Sequence, residues 1–151
     1  MHTRKYDDLM MRVEDDLQAE GLNPIILDNM SLKEESGLSG VVTVKGDNAY
    51  IFLDKNLSTF EKAQTLVEEY FHVMFDLGNM LDYSENARHY NNELMARENV
   101  IGYMTDPEDL NRVAGEYEGQ PMAPWMLMEQ LGYPADFADE TLSYYRRRGY
   151  V

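Results

Sequence analysis

A chain of 151 residues, 44% of them hydrophobic, is long enough for one substantial core and too short for two large ones, so one domain over residues 1–151 is expected. Its 28 acidic residues against 13 basic ones give a formal net charge of -15, which argues against a surface that neutralises many phosphates and hence against direct nucleic-acid binding. The absence of cysteine excludes a disulfide framework, a thiolate zinc cluster and a cysteine nucleophile.

No apolar run approaches the ~20 residues that span a bilayer, and the stretch from Met1 to Asp8 lacks the apolar segment of a signal peptide. The expectation is a soluble, cytoplasmic protein that makes no use of a membrane. Apolar residues at Tyr6, Leu9, Met10, Val13 and Leu17 fall at helical spacing and predict a first helix over 6–20, with Gly21 as its stop. Pro24, Ile25, Ile26 and Leu27 form a short apolar run bounded by turn residues, as in a strand. Two further strands, 38–45 and 49–54, are joined at Lys45-Gly46-Asp47-Asn48, a turn whose residues tolerate positive φ. Together these predict a small, mainly antiparallel three-stranded sheet.

Ser58-Thr59-Phe60-Glu61 reads as a capping box, in which the serine hydroxyl and the glutamate carboxylate each take an orphan backbone N–H of the first turn. It opens a helix expected to reach about Leu77, with Gly78 ending it. Phe60, Ala63, Val67, Tyr70, Phe71, Met74 and Leu77 make that helix's apolar face, and Glu61, Thr65, Glu68, His72 and Asp76 a polar stripe beside it. Ser84 or Asn86 would cap a second long helix through about Met104, with His89, Glu93, Ala96, Val100 and Tyr103 on one face. Helices over 108–116, 124–130 and 136–148 then form a helical C-terminal extension, 108–151, of the same domain. Trp125, Tyr133, Phe137, Tyr144 and Tyr145 are expected to pack these small helices onto the core.

The chemistry concentrates in Glu68-Glu69-Tyr70-Phe71-His72. In the pattern HExxH, two side chains four apart on one helical face hold a zinc ion, and the glutamate after the first acts as general base toward a water polarised by the metal. Here Glu68 stands where the first histidine would be. The competing reading is a solvated helix face carrying an ordinary (i, i+4) Glu-His pair. With three histidines and no cysteine, a zinc site in this chain must use histidine and carboxylate. Glu68 and His72 supply two donors one turn apart, Glu93 on the next helix a third, and Glu69 the base. His89, one turn before Glu93, is a rival ligand or a partner that orients one.

The order of these pieces resembles the ImmA/IrrE family of bacterial and phage metallopeptidases. The resemblance spans roughly 23–150: the hairpin, then Ile51-Phe52-Leu53-Asp54, then Glu61 through His72, then Glu93-Leu94-Met95-Ala96 ahead of Gly102-Tyr103-Met104. The tail from Leu127 through Phe137, with Leu142 and Tyr145 to Gly149, resembles the family's ending. The resemblance implies an α+β, zincin-like fold, with the sheet packed on the active-site helix and further helices after it. It carries over Glu68 as first ligand, Glu69 as base, His72 as second ligand and Glu93 as third. Two departures stand out. Two carboxylates and one histidine make a harder, more negative site, suited to zinc and open to manganese. Phe71 occupies a position usually held by glycine, adding bulk beside the proposed pocket.

As to function, the resemblance implies a metal-dependent endopeptidase that cleaves a helix-turn-helix repressor and so derepresses a phage or mobile element. The alternative is a catalytically inactive relative that binds and sequesters such a repressor or another regulatory partner.

Overall fold

The computed structural model describes residues 2–76 and 89–150, with side chains described over 6–75 and 94–150. Its elements are α1 (His2–Ala19), β1 (Asn23–Met30), α2 (Leu32–Ser36), β2 (Gly40–Lys45), β3 (Asn48–Asp54), α3 (Thr59–Asp76), α4 (His89–Met104), α5 (Pro107–Glu116), α6 (Pro124–Leu131) and α7 (Ala135–Arg147). The architecture is α+β. The predicted caps Ser84 and Asn86, and the predicted stop Gly78, lie outside the described residues.

The three strands lie in the order β1-β3-β2. The hairpin predicted from Gly46 and its neighbours is present: β2 pairs antiparallel with β3 from Gly40↔Leu53 to Lys45↔Asn48, and Gly46 takes a φ of 59°. The first strand corrects the expectation of a mainly antiparallel sheet, because β1 runs parallel to β3, with Asn23 opposite Asn48 and Leu27 opposite Phe52. The physical reason is the crossover. After β1 the chain passes through α2 and lays β2 at the far edge, so the returning β3 fills the middle in the same direction as β1. A parallel neighbour needs such a long connection, whereas a hairpin needs only two residues. Pro24 is tolerated because β1 is an edge strand.

The side chains of β3 alternate as a half-buried sheet requires. Ala49, Ile51 and Leu53 point into the core, while Tyr50 and Phe52 stack on the opposite face, ring centroids 6.3 Å apart. Helices α1 and α3 cover the inner face, and both touch the sheet and each other. Of the predicted stripe of α1, Tyr6, Leu9, Val13 and Leu17 are buried and Met10 is partly buried against the core. Buried residues from α1, the sheet, α3, α4 and α5–α7 form one continuous cluster. Phe137 of α7 ties the C-terminal helices to α3: its ring meets Phe60 edge-on at 5.0 Å and Tyr133 at 4.9 Å. Of the C-terminal aromatics, Tyr133, Phe137 and Tyr145 are buried and Trp125 is exposed. Among the described residues, no helix is long and apolar enough to cross a membrane.

The end of the sheet near α3 is braced by Asp54, which is almost fully buried. Its carboxylate accepts the backbone N–H groups of Lys33 at 2.8 Å and Asn56 at 3.0 Å, tying α2 and the approach to α3 to the end of β3. Those donors, Lys33 first, hold the Asp54 carboxyl below the usual carboxylate range against the opposing effect of burial.

Candidate metal centre on α3

The capping box that opens α3 is formed as its sequence predicts. Ser58 Oγ accepts from the Glu61 N–H at 3.1 Å, and Glu61 Oε1 accepts from the Ser58 N–H at 2.9 Å. With the first turn fixed, 3.6 residues per turn carry Thr65, Glu69 and His72 onto adjacent positions of one face. Thr65 and Glu69 are buried, and Glu69 packs against the start of β2.

Glu69 Oε1 lies 3.0 Å from Nδ1 of His72. An ionised carboxylate can only accept, so this contact places the imidazole proton on Nδ1 and makes Nε2 the ring nitrogen suited to a metal. Burial separates the two roles: the Glu69 side chain is 10% exposed, whereas that of His72 is 61% exposed. The proposed base is therefore held by the fold, and the proposed ligand faces outward above it.

Glu68 is half-buried on the flank of α3 that meets α4. Burial pushes its pKa up, the Arg97 guanidinium opposes that rise, Glu69 adds to it and His72 offsets it. A cation beside Glu68 would counter the desolvation that burial imposes, and the donor set, one imidazole with carboxylates, is one that zinc and manganese accept. On these grounds the residues fit a divalent cation.

Helix α4 packs directly on α3, joined by Tyr103 against Tyr70 and Phe71 at 5.0 and 5.7 Å between ring centroids. Glu93 and His89 belong to the first two turns of α4, and Glu93 stands one turn before Arg97. Their side chains lie outside the described residues. Among the described residues, no group of three or more His, Asp or Glu is gathered as a metal cluster. The structure thus brings together Glu68, Glu69 and His72 on one helix, with Arg97 of α4 near Glu68.

Phe71 faces α4 and stands about 60° around the helix from Glu68. It stands about 200° around the helix from Glu69, and its ring packs on Tyr70 and Tyr103. Its bulk goes into an aromatic cluster between α3 and α4, beside the flank that carries Glu68.

Two residues near the site escaped the sequence reading. Arg97 interacts with Glu68 and is itself tied to Glu140 of α7, with its Nε at 3.0 Å and Nη2 at 2.6 Å from Oε1. Its signal was its position one turn after Glu93. Gly40 approaches Thr65 and Glu69 from β2, a long-range contact that no local pattern encodes.

Comparison with protein families, with characterised proteins and with solved structures finds no match to this chain.

Proposed function

We propose that this chain is a metal-dependent, endopeptidase-like protein of ImmA/IrrE type, with a zincin-like fold, that cleaves a helix-turn-helix repressor and so relieves repression of a phage or mobile element. The observation that carries the reading is the buried Glu69 carboxylate bonded to His72 Nδ1, one residue after Glu68, on a helix packed against α4. Glu68, His72 and Glu93 would hold zinc or manganese. When bound, the ion would act as a Lewis acid on the scissile carbonyl and make a water acidic enough to attack near neutral pH.

This chain's own residues account for the rest. Glu69 Oε1 is engaged by His72, so Oε2 takes the proton from the attacking water and returns it to the leaving amine. The buried position of Glu69 limits competition from bulk water and fixes the direction of that transfer. The net charge of -15 favours encounter with a basic DNA-binding partner by long-range attraction.

A second reading, the inactive relative that sequesters its partner, draws on Arg97. That guanidinium already supplies positive charge toward Glu68, as an ion-pair network would without a metal. One experiment separates the two. The chain is mixed with a purified phage-type helix-turn-helix repressor, with zinc or with a chelator. Intact mass spectrometry should find two repressor fragments only in the zinc sample. A stable complex with intact repressor in both samples would support sequestration and overturn the peptidase.

A further inference from the structure

We propose that Gly40, at the start of β2, is a positioning residue for the Glu69 carboxylate: the lack of a side chain there creates the space in which that carboxylate is held against His72. The proposal rests on the reading of Glu69 as general base.

Gly40 differs from most glycines of the chain. Gly21, Gly37, Gly46, Gly119 and Gly149 adopt positive φ with open space where a Cβ would stand, so they serve backbone conformation. Gly40 is the reverse case, with no positive φ and no room. A Cβ on it would lie 2.5 Å from Thr65 Cγ2, 3.2 Å from Glu69 Oε2 and 3.3 Å from the Phe52 carbonyl oxygen.

Neither side can give way cheaply. Gly40 is paired with Leu53 of the central strand, and the neighbouring Ser39 carbonyl accepts from the Asp54 N–H at 2.9 Å, so the backbone is pinned. Thr65 is β-branched and buried on a helix, where its χ1 is confined to two rotamers. The carboxylate one turn on is thus bounded by the β2 backbone near Oε2 and by His72 Nδ1 at Oε1. A methyl group at position 40 would press on both Thr65 and Oε2, and the carboxylate would have to turn, which takes Oε1 out of its present alignment with Nδ1.

The two contacts can be tested separately, because Thr65→Ser removes Cγ2 and leaves the contact with Oε2. The variants are Gly40→Ala, Thr65→Ser and the pair together. The readouts are the thermal midpoint and, at fixed pH in metal-free protein, the imidazole 15N shifts of His72, assigned by their loss in His72→Gln. Gly40→Ala should lower the midpoint, and the double variant should recover most of that loss.

The wild type should show His72 as the Nδ1–H tautomer. The double variant, though again well folded, should shift to mainly Nε2–H. A double variant that keeps the Nδ1–H tautomer would overturn the proposal, since Gly40 would then matter for packing alone. A wild type without that tautomer would overturn it too. Zinc-loaded Glu69→Gln, assayed beside zinc-loaded wild type on the repressor that the wild type cleaves, tests the underlying reading separately. Hydrolysis at the wild-type rate, with the tautomer shift intact, would remove the general base and with it the catalytic meaning of the positioning.

Discussion

Glu69 and His72 are joined by a 3.0 Å contact between Oε1 and Nδ1, with the carboxylate buried and the imidazole largely exposed. Three residues apart on α3, they form a unit in which one side chain orients the other. Their effects are therefore separable. Glu69→Gln should retain the metal and lower repressor cleavage by roughly a hundred- to ten-thousand-fold, the usual contribution of a general base. Metal content and initial cleavage rate, measured on one preparation, check this. Retained cleavage would remove Glu69 from the chemistry.

Phe71→Ala should cost stability without changing metal affinity. The ring packs on Tyr70 and Tyr103, and each such aromatic pair contributes about 0.5–1.5 kcal/mol beyond the area it buries. Urea unfolding should report a loss of about 1–3 kcal/mol. A tighter metal site in this variant would mean that the ring obstructs the pocket after all.

Asp54 supplies a pH dependence whose sign follows from its depressed pKa. A carboxyl held below its unfolded value contributes stability that is complete above the unfolded pKa, about 3.9, and is lost as pH falls through the folded value. Asp54→Asn should lower the urea midpoint at pH 7, and the gap from wild type should close as pH falls below about 4. A gap that stays constant down to pH 3 would show that the Lys33 and Asn56 donors do not depend on the charge.

Phe137→Ala should destabilise the whole chain by about 3–5 kcal/mol, because its ring is 1% exposed and sits between α3 and the C-terminal helices. Since these helices share the core cluster, circular dichroism and tryptophan fluorescence should report one transition. Separate transitions, with Trp125 melting first, would mean that the C-terminal helices fold on their own.

What could be read from the sequence was mostly local. The Ser58 and Glu61 pattern forms both of its reciprocal hydrogen bonds, and the turn at Gly46 joins the strands it was expected to join. Such signals lie within four or five residues and need no partner elsewhere. The direction of β1 was not legible, because an apolar run from Pro24 to Leu27 announces a strand without naming its neighbour. Helix α2 was missed for a related reason. Its five residues are too few for a periodic pattern, and its start is held by Asp54, 21 residues away from Lys33. In the site, helical spacing placed Glu68, Glu69 and His72 together, but only tertiary packing reveals that Glu69 is the buried one and that Gly40 makes room for it.

Whether Glu68, His72 and Glu93 hold one divalent cation is decided by metal titration calorimetry on apo protein. Zinc or manganese should bind the wild type at about one equivalent, and both His72→Ala and Glu93→Ala should abolish that binding while leaving the circular dichroism spectrum intact. A wild type that takes up neither metal, or a His72→Ala variant that binds as the wild type does, would contradict that assignment.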